Sequence, residues 1–364
     1  MKKVFVFLFF LFLFPQQIHA QGNNLQKEER IEATVISVQE DKQITINNKK
    51  QQYQKLELLV TTGNLKGKKI IIEQGATPSV YLQEYTTGDT VIITKTKDNL
   101  GKDVYYIADY VRRMPLFILF FLFVCLTILV GRKRGLAALL GMGISFFVIF
   151  SFILPKIQEG YSPVFITILA SLFIVPVTFY LSHGINKKTT TAIIGTFIAL
   201  SITGVMAIVF VHMGKLSGFT SDEANFLLTI NHTAINMQGL LLAGIIIGVV
   251  GILDDITISQ AAIVYQLKSV SPRLPFGQLY GKAMDIGKDH IASMVNTLIL
   301  VYTGAAMPLL LLFINNPLPF TDVINTQIIA EEIIRTLVAS IGLILAVPIT
   351  TLISCIAVDD SLAK

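Results

Sequence analysis

The chain has no tryptophan, two cysteines and few charges. Only 15% of its residues are Asp, Glu, Lys or Arg, where a soluble domain carries about a quarter. That shortage excludes an ordinary water-soluble globule over the whole length. Cys125 and Cys355 each sit inside an apolar run, which excludes a disulfide framework and a multi-thiolate metal centre; both read as packing or lipid-facing residues. Without Trp, anchoring at a bilayer interface falls to tyrosine. The sequence also lacks HExxH, GxSxG and Walker A motifs, DDITIS departs from DDxxD, and GILDD lacks the GxGD form. The chain therefore reads as a non-enzyme.

What it has is apolar length. Hydrophobic residues make up 53% of the 364, and they concentrate after Arg113, so a polar third precedes an apolar two-thirds. Residues 1–20 (MKKVFVFLFFLFLFPQQIHA) combine Lys2 and Lys3 with an apolar core from Val4 to Phe14. That core is shorter than the ~20 residues of a spanning helix and reads as a signal peptide, with an uncleaved anchor as the alternative. Residues 22–111 hold short β-branched runs such as IEATVISV, KQITINN, KLELLVTT, KKIIIEQ, DTVIITKT and DVYYIADYV. Leu56, Leu58 and Val60 alternate with polar neighbours, as in a half-buried strand. Five or six such strands suggest a small all-β, OB-like domain. Its acidic and basic residues cancel, which argues against nucleic acid as a partner.

Residues 114–358 read as a transmembrane helical bundle. Seven apolar stretches lie near 114–131, 136–154, 164–181, 191–212, 237–258, 291–314 and 333–356, and only helices cross lipid without leaving backbone groups unpaired. Arg132, Lys133 and Arg134, then Lys187 and Lys188, then Lys268, Arg273, Lys282 and Lys288 fall in alternate loops. The positive-inside rule places those loops in the cytoplasm, the β domain outside the plasma membrane and the tail, 359–364, inside. Arg112 and Arg113 stand against that rule and read as headgroup contacts. Gly244 and Gly248, with Gly131, Gly135, Gly141 and Gly143, read as points of close helix approach. Pro176, Pro308 and Pro348 read as bends.

GVVGILDDITISQAA raises the question of function. Asp254 and Asp255 lie about one turn inside the cytoplasmic boundary if the span starts at Gly239, or at the boundary itself if it starts near Ile235, on a helix expected to continue to Ser271-Pro272. They diverge by about 100°, so one faces the bundle and the other does not. A carboxylate in hydrocarbon needs a partner or a proton. The sixth stretch begins at the same level with DIGKDHIASMVNTLIL, which offers Asp289, His290 and Asn296, and Lys288 as a partner for an aspartate of the fifth. Asp254, Asp255, Asp289, His290 and Asn296 are thus the candidate polar site. Asp and His suit a divalent ion, but the spacing selects no metal and no cofactor. Glu331 and Arg335, at i and i+4, read as a solvated pair at the outer face, as do Asp222, Glu223, Asn231 and His232 in the loop before the fifth stretch.

These strings resemble the YibE/F family of bacterial multi-pass membrane proteins. The likeness is carried by YVRRMPLFILFFLF, GRKRGLAALLG, GLLLAGIIIGVVGILDDITISQAAIVYQL, AMDIGKDHIASMVNTLILVYTGAAMPLLLL and EEIIRTLVASIGLILAVPITTLISC. The resemblance implies an architecture rather than an activity. A Gly-rich helix ending in DD before a polar-headed helix is also similar, at fold level, to the transmembrane halves of RND-type permeases. The expected function is a transporter or permease component for a small solute or ion, coupled to protons. The alternative is a membrane scaffold or sensor whose outer domain docks a partner. Besides the lipid bilayer, a second membrane protein or another copy of the chain is a candidate partner.

Overall fold

The computed structural model describes residues 29–47, 49–78, 82–97, 101, 103–220, 224, 226–227, 235–314 and 319–359. The signal-like segment, the end of the tail from residue 360, and Asp222, Glu223, Asn231 and His232 lie outside them. The described residues fall into two compact units, one within Ile18–Leu126 and the other within Thr127–Lys364.

The first unit is built on an antiparallel sheet of β1 (Glu29–Ile46), β2 (Lys49–Val60), β3 (Lys69–Gln74), β4 (Thr90–Lys97) and β5 (Asp103–Tyr110), in the order β3-β2-β1-β4-β5. IEATVISV and KQITINN, expected as two strands, form the single 18-residue β1. The polar stretch between them carries no core residue, yet its backbone stays paired with β2 through two register shifts, at Val35/Ser37 and Val38/Glu40. Pairing rather than burial holds the strand together there. Ile31, Ala33, Val35, Leu56, Leu58, Val60, Val91 and Ile93 alternate inward and are essentially buried, as a sheet with one apolar face requires. Gln54 lies in this core and holds Tyr85 from both sides. Its Nε2 donates to the Tyr85 carbonyl at 3.1 Å and its Oε1 accepts from the Tyr85 N–H at 2.8 Å. Burial pushes the Tyr85 phenol up to about 12. At Gly75, φ is +80° and a Cβ would sit 2.1 Å from the Gln52 carbonyl oxygen, so only glycine fits.

Arg112 and Arg113, read from sequence as headgroup contacts, each have a carboxylate partner within the strand unit. Arg112 pairs with Asp109 at 2.6 Å and Arg113 with Glu32. Carboxylates of the sheet thus answer both arginines. The Arg112 guanidinium, with the Tyr110 N–H, holds the Asp109 carboxyl below its ordinary range.

The first helix, α1 (Arg113–Val148), continues through a π turn at Ile149–Ile153 into α2 (Leu154–Gln158). It breaks at Arg132, where φ is 51° and ψ is −125°. A Cβ on Gly135 would lie 2.0 Å from the Thr127 carbonyl oxygen. Eight residues of straight helix separate such atoms by about 12 Å, so the chain turns back sharply between them. The remaining helices are α3 (Pro163–His183), α4 (Lys187–Met213), α5 (Met237–Val270), α6 (Phe276–Ala305), α7 (Met307–Ile314), α8 (Phe320–Asn325) and α9 (Gln327–Asp359). Ser162, Asn186 and Asn236 cap α3, α4 and α5 by accepting from the backbone three residues on. Among the described residues, five helical runs are long and apolar enough to cross a bilayer, or six if α6 and α7, bent by 68°, form one. The difference from seven lies at 113–158, which counts as one continuous run although the chain breaks at Arg132, between the two stretches expected there. Pro308 falls in the first turn of α7, beyond the bend, where its missing N–H is not needed. Pro176 and Pro348 lie within α3 and α9 without ending them.

α4, α5 and α9 form the centre of the helical unit, around Ala199, Val249, Leu253, Leu343 and Ala346. Two reciprocal notches join α4 to α9. A Cβ on Gly195 would meet Thr350 Oγ1 at 2.3 Å, and one on Gly342 would meet Thr203 Oγ1 at 2.4 Å. Gly244 and Gly248, expected to play this part, do not. A Cβ on Gly244 meets nothing within 4 Å, and one on Gly248 meets only the Tyr302 hydroxyl, at 3.7 Å. The spacing identified small residues, but the phase of the helix gives neither a close helix–helix approach.

Candidate functional site

α5 continues past the paired aspartates to Val270, one residue short of the Ser271-Pro272 end expected for it. Asp254 is half-buried and Asp255 exposed. The reason is helical phase: Asp254 shares its stripe with Thr257 and Ala261, both fully buried, while Asp255 shares its own with the exposed Gln266. Thr257 Oγ1 lies 2.7 Å from Thr196 Oγ1 of α4. Asp254 is therefore the member of the pair turned toward the bundle.

α6 packs on its neighbours through Leu279, Ala283, Gly287 and Leu298. Asp289 and Asn296 are exposed on the opposite face and His290 is half-buried at the flank. Among the described residues no hydrogen bond or ion pair links the two α6 residues or His290 to either aspartate. Lys288, expected to answer α5, instead pairs with Asp285 on its own helix at 3.0 Å. The five predicted residues thus divide between a bundle-facing carboxylate and an outward-facing stripe. Beside Asp254, α5 carries Gln260, which sequence reading passed over. It is fully buried, and its Nε2 donates to the Ala283 carbonyl at 2.9 Å and to Thr351 Oγ1 at 2.7 Å. That amide ties α5 to α6 and α9 at once.

The opposite end of the helical unit holds a cavity of ≈ 620 Å³. Its polar lining is Thr220, Tyr302, Glu331, Glu332 and Arg335, set among apolar side chains such as Leu240, Leu241 and Leu309. Gly244 opens onto it. Glu331 is only 4% exposed. Thr220 Oγ1 donates to its Oε2 at 2.5 Å and Gln327 Nε2 to its Oε1 at 3.1 Å. Gln327 also donates to Ser217 Oγ at 2.6 Å, and Gln238 Nε2 donates to the Leu216 carbonyl at 2.8 Å, so the segment before Thr220 is stitched to the starts of α5 and α9. Arg335 pairs with Glu332 at 2.9 Å rather than with Glu331.

The solvated Glu331–Arg335 pair of the sequence reading is thus corrected on both counts. Glu331 is buried, and Arg335 takes the other glutamate. The missed signal was phase. Glu331 heads the stripe that continues through Val338 and Ala346, all buried, whereas counting only the i, i+4 spacing selected the wrong partner. Among the described residues no three His, Cys, Asp or Glu side chains group so as to hold a metal ion.

Compared with known proteins, residues 119–360 match the family model described as YibE/F-like protein. No curated protein and no solved structure matches the chain.

Proposed function

We propose that this chain, which belongs to the YibE/F-like family, is a plasma-membrane permease component that moves a small solute or ion in exchange for protons. The observation that carries the reading is the cavity headed by the buried Glu331. Its lining holds two carboxylates and one guanidinium among apolar walls, a balance that favours a small cation or amine-bearing solute. α5 lines this cavity at Gly244 and carries Asp254 ten residues further on, about 15 Å along its axis. Between them Val249, Leu253, Leu298 and Leu343 pack closely. A polar chamber, an apolar closure and an inner carboxylate on the same helix suit a carrier that opens to one side at a time.

In this reading the break at Arg132 separates two spans, since a 46-residue run is about 69 Å long against ~30 Å of hydrocarbon. With α6 and α7 as one broken span the bundle then has seven. Positive-inside loops put the Glu331 cavity at the outer face and Asp254 near the inner leaflet. The residues 1–20 direct the strand unit outside. The order β3-β2-β1-β4-β5 is that of an OB-like barrel opened between β3 and β5. The docking alternative draws on exposed Ile71, Val104 and Tyr106 on those two end strands.

Purified protein in proteoliposomes, screened against small cations and amines with and without a pH gradient, tests the proposal. At least one solute should move, Glu331→Gln should weaken its uptake, and Asp254→Asn should remove the dependence on the gradient. Absence of flux, with a cellular phenotype that ignores both substitutions but follows deletion of residues 29–111, would replace it with the docking reading.

A further inference from the structure

We propose that the Glu331 cavity selects an organic monoamine, a solute with one ammonium group and an apolar body. The inference rests on the permease reading of this cavity and narrows its solute to that class.

The charges of the lining do not balance. Arg335 and Glu332 pair at 2.9 Å and cancel one another. Glu331 is left over. It is 4% exposed, and its oxygens accept from Thr220 Oγ1 at 2.5 Å and Gln327 Nε2 at 3.1 Å, both neutral donors. Among the described residues no Lys, Arg or His forms an ion pair with Glu331, so the cavity holds one negative charge without a positive partner. A carboxylate taken out of water with neutral partners alone is costly. One positive charge on the solute answers it. A second would find Glu332 already held by Arg335, and a carboxylate would have to displace Glu332 from that guanidinium.

The walls decide what carries the charge. Leu240, Leu241, Leu309 and Ile328 line the cavity, whose ≈ 620 Å³ lies within the range of pockets that enclose organic ligands. A hard metal ion wants about six oxygens; besides the two carboxylates, the lining side chains supply the Thr220 and Tyr302 hydroxyls. An alkyl or aryl body instead covers the leucine walls, and each buried methylene strengthens binding roughly fourfold. Tyr302 adds an aromatic ring to the lining, a surface that organic ammonium groups favour. Gly244 faces open space, since a Cβ there meets nothing within 4 Å. A larger side chain at that position shortens the cavity without forcing the helices apart.

Full-length protein in lipid nanodiscs, titrated with three six-carbon probes, tests this. Hexan-1-amine, hexane-1,6-diamine and 6-aminohexanoate share one ammonium group and differ at the far end. Hexan-1-amine should bind about tenfold tighter than the other two, whose second charge has no partner among the leucines, and pentan-1-amine roughly fourfold more weakly than hexan-1-amine. Glu331→Gln should weaken hexan-1-amine on the order of tenfold or more. Gly244→Leu, which leaves the carboxylate in place, should weaken hexan-1-amine more than propan-1-amine. The proposal is overturned if the diamine or the zwitterion binds as tightly as hexan-1-amine, if affinity does not rise with chain length, or if either variant binds hexan-1-amine as the parent does. Binding read at equilibrium stands apart from transport. Monoamine binding without flux in proteoliposomes removes the permease reading and leaves this site, whereas flux of another solute with no monoamine binding does the reverse.

Discussion

In the strand unit the buried Gln54 reaches across the sheet to satisfy the backbone of Tyr85. In the helical unit the buried Thr196, Thr203, Thr257 and Thr351 each turn first to the carbonyl four residues back in their own helix. The cores differ in the same way. The strand core is large aliphatic side chains in strict alternation, while α4 and α9 meet at glycines notched by threonine. The solvent explains the contrast. Water drives apolar area together, so the sheet gains stability from size. Lipid gives no such drive, so helices gain by close approach, and each must satisfy its own polar groups first.

Truncation should break this comparison most visibly. Leu58→Ala, at a fully buried position, should cost about 3 kcal/mol in denaturant unfolding of the strand unit. Enlargement is the matching injury in the helical unit. Gly195→Val should cost about 2 kcal/mol and lower the melting temperature in detergent, and adding Thr350→Ala should restore part of it. Full tolerance of valine would mean that α4 and α9 do not approach as described.

The polar groups sharpen the contrast. Gln54→Leu leaves both the N–H and the carbonyl of Tyr85 unanswered and should cost about 1.5 kcal/mol. Thr257→Val removes an interhelical contact of the kind worth about 0.6 kcal/mol in membranes. Equal losses from the two, read by thermal unfolding, would erase the distinction.

The smallest effect is one of pH and should belong to the strand unit. Asp109 is held below its ordinary range by Arg112, and Glu57 by Lys69 and Ser37. Depressed carboxyls contribute stability that is complete above the unfolded value, near 4, and is lost as pH falls through the folded one. Melting of the strand unit should therefore decline slightly below about pH 4, and Asp109→Asn with Glu57→Gln should flatten that decline.

How far the site was legible follows from the same physics. Asp254 and Asp255 stood out because carboxylates inside an apolar run are rare, but which of the two turns inward was decided by the burial of Thr257 and Ala261 in the packed bundle. Glu331 was hidden because it sits near a helix start, where acids are usually solvated. Its burial depends on Thr220, 111 residues away in the chain. Lys288 was assigned to α5 on the basis of level alone, and Asp285, three residues away, was the nearer partner. Gln260 gave no signal at all, since a lone amide on a long helix reads as surface.

By itself the sequence determined the class of the molecule. Charge scarcity, helical apolar runs and alternating strand residues are local quantities, and the choice between water and lipid is made segment by segment. Only the tertiary structure decided which polar residues meet. A helix turns about 100° per residue, so one position separates a side chain in the bundle from one outside it, and the chamber around Glu331 exists only once α5, α6 and α9 are set side by side.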